Sequence, residues 1–331
     1  PKIIIYHYSH IYLARSVDRL IRSEIFNSAT LDLMRNTQGS KWALYGPDVI
    51  PMWLADPDFP VAMEIKRALM DAVQDEELFY WGDTEAREAM SKKVKTRNGI
   101  EAEPQDIIVT QGVIPAMWLA IQYACQPGDE VVVTNPMFDS FLTAVEVCGV
   151  KGLYHKLDEE EKYQFDIPAL NKLITKKTKL IFVCNPHNPC GRVLSKEELK
   201  GIGEVAVDHN ITIMVDELWE DVVLDGRKHI SIASLSPEIA ERTMTSFGFS
   251  KTYGVAGLQM GYLVATNKQM MEALRKIARG VLRGTTSLSK AAAPVMLDDT
   301  LKWWREGLVK HIEMIRGLVE KRLKEFGGIT C

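Results

Sequence analysis

The sequence contains no apolar run approaching the about 20 residues needed to span a bilayer as a helix. Its apolar opening, "PKIIIYHYSHIYLARS", is interrupted early by histidines, tyrosines and an arginine. It lacks the pattern of a secretory leader, so a chain without one is expected. Cysteine is scarce and odd in number: five residues, at 125, 148, 184, 190 and 331, with no CxxC pair and no histidine-rich zinc spacing. The expectation is a reduced, cytoplasmic protein without structural disulfides or zinc. Charge of one sign is missing as well. A formal net charge of -4 gives no field that would recruit a polyanion or an anionic membrane. The basic stretch "RKIARGVLRGTTS" (275–287) has the spacing of a solvated helix face, not of a nucleic-acid patch. No internal repeat or low-complexity linker occurs. What remains, 46% hydrophobic and 25% charged residues over 331 positions, is the make-up of a globular enzyme with one large domain and a smaller one.

From about residue 105 short β-branched runs alternate with longer helical patterns. "DIIVT" (106–110), "EVVVTN" (130–135), "KLIFVCN" (179–185), "ITIMVDE" (211–217) and "GYLVATN" (261–267) are nearly continuous apolar segments, as in strands buried on both faces of a parallel sheet. "IPAMWLAIQYAC" (114–125), "IPALNKLITKKT" (167–178) and "SKEELKGIGEVAVDHN" (195–210) read as the helices between them. Ser195 and Glu198 have capping-box spacing at the start of the last. After residue 290 strand patterns stop, and "LKWWREGLVKHIEMIRGLVEKRLKEFG" reads as a long amphipathic helix. The alternation argues for an open, mostly parallel sheet with helices on both faces. Ligands of such sheets bind beyond the carboxyl ends of the strands.

Each expected strand ends in polar or turn-forming residues. Asp216 follows "ITIMV" directly, where an ionised carboxylate is costly unless it meets a cation or several donors. It is either a buried turn or cap residue or the partner of a cationic ligand. Asn188 lies between two prolines in "NPHNPCG", which stiffen the loop and aim its amide, or simply form a turn. "QGVIPA" (111–116) precedes a helix, so its unpaired N–H groups form a phosphate cradle of weak specificity. Lys251, in "TSFGFSKTYGVAGLQMGY" (245–262), is a solvated loop charge or an amine held in a dry pocket. His187 reads as a loop histidine with structural hydrogen bonds, and Cys190 as a small filler.

Together these segments resemble the class I/II aminotransferases, pyridoxal-5′-phosphate enzymes of the aspartate aminotransferase fold. The resemblance rests on "TQGVIPAMWLAI" (110–121), "PGDEVVVTNPMFDSF" (127–141), "NPHNPCGRVLSKEEL" (185–199), "VDELWEDVV" (215–223) and "SFGFSKTYGVAGLQMGY" (246–262), in the family's order. "KWALYGPDVIPMWLADPDFP" (41–60) and "CNPHNPCGRV" look most like its cystathionine β-lyase branch. "DGRKHISIASL" with "GFSKTYG" looks more like aspartate and aromatic aminotransferases. The resemblance implies a three-layer α/β/α large domain at 46–289. A smaller α/β domain would be built from 1–45 and from 290–331. It implies that Lys251 forms the Schiff base with the cofactor and shuttles protons, and that Asp216 pairs with the pyridine nitrogen. Asn188 would bond the phenolic oxygen and help position substrate, and Phe138 would stack on the ring. Gly112, Val113, Ile114 and Ser250 would hold the phosphate. Tyr80 would reach the phosphate of a neighbouring subunit, which implies a homodimer with shared active sites. The backbone of Ala55 would meet the substrate carboxylate. Substrates would be an L-amino acid and a 2-oxo acid, with β-elimination of a thiol as the alternative reaction and a catalytically weak cofactor-binding protein as a second.

Three positions depart from the family pattern. Gln259 stands where an arginine clamps the phosphate, and glutamine lacks both the charge and the fork. Trp219 stands where a tyrosine bonds the phenolic oxygen, serving as an indole donor or as a wall. The sequence given ends at "FGGITC", where relatives continue into a small-domain sheet carrying the substrate-carboxylate arginine. The expectation is an incomplete chain.

Overall fold

The computed structural model describes residues 24–80, 82–282 and 284–326. They belong to two compact units, Met63–Lys302 and a second made of Pro1–Ala62 with Trp303–Cys331. The closing residues "GGITC" lie outside the described residues.

In the larger unit the longer helices are α1 (Met63–Gln74), α2 (Thr84–Lys93), α3 (Val113–Ala124), α4 (Asp139–Val147), α5 (Ile167–Leu173), α6 (Lys196–Asp208), α7 (Lys268–Val281) and α8 (Ser287–Leu297). The strands are β1 (Ile107–Thr110), β2 (Glu130–Asn135), β3 (Lys151–Lys156), β4 (Thr178–Cys184), β5 (Thr212–Asp216), β6 (Thr243–Gly248) and β7 (Gly261–Val264). They form one seven-stranded sheet in the order β1-β7-β6-β5-β4-β2-β3. Strands β3, β2, β4, β5 and β6 pair in parallel, and β7 runs antiparallel to both β6 and β1.

Side chains of a strand alternate between faces, and both faces of this sheet are covered. Val131, Val133, Leu180, Phe182 and Met214 pack with α3, α4 and α7. Val132, Ile181, Val183, Ile213 and Val215 pack with α5 and α6 on the other side. Burying each such side chain contributes about 1.5–3 kcal/mol, which is why the central strands read as unbroken apolar runs. The three-layer α/β/α arrangement is the expected one. Because β7 reverses, the ends of β1, β2, β4, β5 and β6 and the start of β7 share one edge of the sheet.

The second unit contains a long helix, α9 (Lys302–Leu323), most of which belongs to it. Phe26 packs edge-on to Phe59 at 4.9 Å and against Trp304 at 5.0 Å, between ring centroids. Lys41 donates to an Asp58 carboxylate oxygen at 2.8 Å and Trp42 Nε1 to the other at 2.7 Å, closing the segment that carries Ala55.

Candidate active site

The site grows from the shared sheet edge. Backbone pairing continues one residue past β4 and past β5: Asn185 N–H donates to Asp216 O, and Glu217 N–H to Ser246 O, both at 2.9 Å. Asp216 is therefore held at the end of β5, 6% exposed, with Oδ1 accepting the Leu218 N–H at 2.9 Å. Burial drives its pKa up to about 7; the Leu218 N–H opposes this, Glu217 adds to it, and the Lys251 charge opposes it in turn. A carboxyl so placed is ready to ionise against a cation brought to it.

Lys251 lies in the short helix Ser250–Tyr253 that follows β6, half-buried between the buried rings of Phe249 and Tyr253 in sequence. Its Nζ is 5.7 Å from the centroid of the Trp219 indole. The neighbouring Thr252 hydroxyl donates to Asp221 at 3.3 Å, fastening this turn to the segment after Asp216. A loose surface loop is not the setting of this amine.

On the other side of β6 and β7, Gly112 caps the N-terminus of α3 with φ +106°, a conformation that favours glycine. A Cβ built there meets nothing within 4 Å, so the backbone borders open space. The cap has no side-chain partner, and α3 presents its first N–H groups there. Val113 is buried and Ile114 exposed. Gly112 can lie this close to the sheet because Gly261 has no side chain: a Cβ at Gly261 would stand 2.9 Å from Gly112 C and 2.8 Å from Phe247 O. Ser250 is half-buried and opens the lysine's helix.

Asn188 sits in the loop between β4 and α6. That loop is closed by His187 N–H to Arg192 O at 2.7 Å and by Gly191 N–H to His187 O at 2.8 Å. Asn188 N–H donates to Cys184 Sγ at 3.4 Å. Arg192 grips Glu198 with both terminal nitrogens, at 2.7 and 3.0 Å, and the Ser195–Glu198 capping box forms as expected. His187 contacts the Thr134 hydroxyl at 3.1 Å, and burial lowers its pKa to about 4, a structural role. Phe138 caps α4 beyond the end of β2 and is 36% exposed.

The sheet edge thus gathers the segments of Gly112–Ile114, Phe138, Asn188, Asp216, Trp219 and Ser250–Lys251. Tyr80 belongs to the same unit but is fully exposed, and Ala55 is an exposed residue of the other unit. Gln259 is exposed in a left-handed conformation, φ +48°, and its carbonyl accepts the Thr285 hydroxyl at 2.9 Å. Sequence reasoning missed a buried polar group behind the edge: Lys93, Asn98, Asn185, Glu217, Glu220 and His229. Its signal was available in "VDELWED", where three further acids follow the apolar run "IMV" and Asp216 and need internal partners.

The family model for aminotransferase class I and II matches residues 48–331. The aspartate aminotransferase of Pyrococcus abyssi (strain GE5 / Orsay) is 33% identical over 287 residues, 85% of this chain and 73% of that protein. The cystathionine beta-lyase PatB of Bacillus subtilis (strain 168) is also 33% identical, over 84% of this chain and 74% of its own. Among solved structures, cystalysin from Treponema denticola, which contains a pyridoxal 5′-phosphate cofactor, superposes with a TM-score of 0.83 at 28% identity, covering 88% of this chain and 77% of that one. With its sheet edge, its buried aspartate and its matched length, the chain belongs to the class I and II aminotransferases, enzymes that use pyridoxal 5′-phosphate.

Proposed function

We propose that the sheet edge around Asp216 and Lys251 is the active site of an aminotransferase that moves an amino group between an L-amino acid and a 2-oxo acid. The observation that carries this reading is a buried carboxyl with its pKa raised to about 7 next to a half-buried lysine. The residues fit the cofactor on three counts. Asp216 lacks a cation of its own strong enough to hold it ionised, Gly112 borders open space at a helix N-terminus, and the Asn188 loop is tied down at both ends.

When bound, pyridoxal 5′-phosphate supplies an electron sink for charge developing at the substrate Cα. Asp216 would keep a proton on the ring nitrogen by remaining negative beside it. Gly112, Val113, Ile114 and Ser250 would hold the phosphate through backbone N–H and hydroxyl donors. Phe138 and Trp219 would wall the ring, and Asn188 would orient it through an amide donor. Lys251 would hold the cofactor through its amine, and that amine would move the proton at the substrate Cα. Ala55 and Tyr80 keep the roles that family resemblance gives them, the latter across a homodimer. A cytoplasmic location agrees with the free thiols of Cys125, Cys148, Cys184 and Cys190. Among the described residues no helix is long and apolar enough to cross a membrane.

A second reading, β-elimination from a sulfur amino acid, is favoured by the equal identity to the aminotransferase and lyase relatives. Both reactions use the same Lys251. Borohydride treatment of the loaded enzyme should fix the cofactor to a peptide containing Lys251, and Lys251→Ala should lose that label and at least a thousandfold of kcat. Label on another lysine would sink the assignment. Incubation with amino acids, followed by assay of 2-oxo acid exchange and of pyruvate with ammonia, separates transfer from elimination.

A further inference from the structure

Behind the sheet edge, Glu217 is fully buried and its neighbours are arranged around one imidazole. His229 Nε2 lies 3.0 Å from Glu217 Oε2, and His229 Nδ1 lies 3.5 Å from Asn185 Nδ2, near the limit of a hydrogen bond. The orientation of the Asn185 amide is fixed by two backbone groups. Its Oδ1 accepts the Leu194 N–H at 2.9 Å, and its Nδ2 donates to Ile230 O at 3.1 Å. The amide therefore presents N–H to the imidazole, and Nδ1 must accept. The ring proton then sits on Nε2 and points at Glu217, so the neighbours choose the tautomer.

These contacts bracket the catalytic segments. Asn185 opens the loop that carries Asn188, Leu194 closes it, and the Asn185 N–H is bonded to Asp216 O. Glu217 follows Asp216 directly. Glu217, Glu220 and His229 bring ligand-type atoms within 4.8 Å of one another. Glu220, however, is already held by the Lys93 ammonium and by Asn98 Nδ2 at 2.6 Å, so protein groups balance its charge and no metal is required.

We propose that His229 is a positioning residue of the cofactor site, accepting from Asn185 and donating to Glu217, so that its neutral form locks the Asn188 loop to the end of the strand bearing Asp216. This rests on the assignment of Asn188 and Asp216 to the cofactor. Protonation releases the Asn185 end of the lock, because Nδ1 gains a hydrogen that faces the fixed Asn185 N–H, while the contact to Glu217 is kept. The charged and titratable groups that act on the ring are Glu217 and Glu220, which favour its cation, and Lys93, which disfavours it; net, the pKa of His229 stands above its ordinary value despite burial. The lock consequently opens at a higher pH than an ordinary imidazole would set.

The test measures the dissociation constant of pyridoxal 5′-phosphate from the full chain between pH 6 and 9, for wild type, His229→Gln, His229→Phe and Asn188→Ala. Glutamine can accept and donate but cannot take up a proton. At pH 8.5 H229Q should bind within about threefold of wild type and H229F at least tenfold more weakly. As pH falls, wild type should lose affinity relative to H229Q by up to tenfold per pH unit, a ratio from which titration of the cofactor and of Asp216 cancels. Superimposable wild-type and H229Q profiles, or H229F binding like wild type, would overturn the proposal. Should H229F not fold, ring ¹⁵N shifts of the wild type decide: a proton on Nε2 at pH 8.5 is expected, and one on Nδ1 overturns it. N188A separates the two layers. Normal binding by N188A removes the site assignment, whereas weak binding by N188A with normal binding by H229F removes His229 alone.

Discussion

With the Asp216 carboxyl buried and its pKa raised to about 7, the folded chain holds a proton that the unfolded chain releases near pH 4. The native state binds more protons across that interval, so this contribution to stability is complete below about pH 4 and is lost as pH rises through 7. The interval corresponds to on the order of 4 kcal/mol. Thermal melts of the cofactor-free protein should therefore fall in Tm from pH 5 to pH 8, and Asp216→Asn should flatten the slope while weakening cofactor binding at least a hundredfold. Parallel slopes for wild type and D216N would refute the assignment of that proton to Asp216. As candidates, Asp216 was legible because it directly follows an apolar run, Asn188 because prolines flank it, and Lys251 because it sits among small and apolar residues. His229 was not legible. Its partners Asn185 and Glu217 are brought to it by strand pairing, and nothing in "GRKHISI" distinguishes a buried imidazole from a surface one.

At the scale of elements, five of the seven strands were apparent from continuous apolar segments, and two were not. β6, "TMTSFG", sits between β5 and β7 with all but its last residue buried, yet its threonines and serine disguise it. Two of their hydroxyls find backbone acceptors: Thr243 donates to Ile239 O at 2.7 Å and Ser246 to Val215 O at 3.3 Å. β3, "KGLYHK", is the outer strand beside β2 and mostly solvated, so it carries no apolar run to detect. The helix suggested for 167–178 stops at Leu173 because Thr178 already begins β4. The β6–β7 pair has a second consequence. It lets the Gly112 loop rest on the sheet only through the bare backbone of Gly261. Gly261→Ala would drive a methyl into Phe247 O and Gly112, at 2.8 and 2.9 Å, with only backbone to yield. A loss of about 2–4 kcal/mol in denaturant unfolding is expected, with weaker phosphate binding. A change below about 0.5 kcal/mol would show that the loop does not depend on this contact.

For the whole molecule, the question is what covers the apolar surface that follows α1. Leu78, Phe79 and Tyr80 are 56%, 79% and 110% exposed in succession, and Met70 and Val73 on α1 are about half-exposed. Isolated apolar residues on a surface are ordinary, but consecutive large ones rimmed by charge mark an interface. The charges are present: Asp75, Glu76 and Glu77 precede the trio, and Asp83 follows it. In the proposed homodimer this segment meets the other copy, and Tyr80 lends its hydroxyl to that copy's phosphate. Association and cofactor affinity should then move together. Light scattering on size-exclusion fractions should give two chains for the loaded wild type. Phe79→Glu should shift the mass to one chain, leave the far-ultraviolet circular dichroism of the α/β unit unchanged and weaken cofactor binding about tenfold or more. Tyr80→Phe should keep the dimer and lose only the affinity, since it removes one hydroxyl from the phosphate while retaining the ring at the interface. A wild-type monomer that binds the cofactor as tightly as the dimer would refute shared sites, because no residue from a second chain could then be contributing.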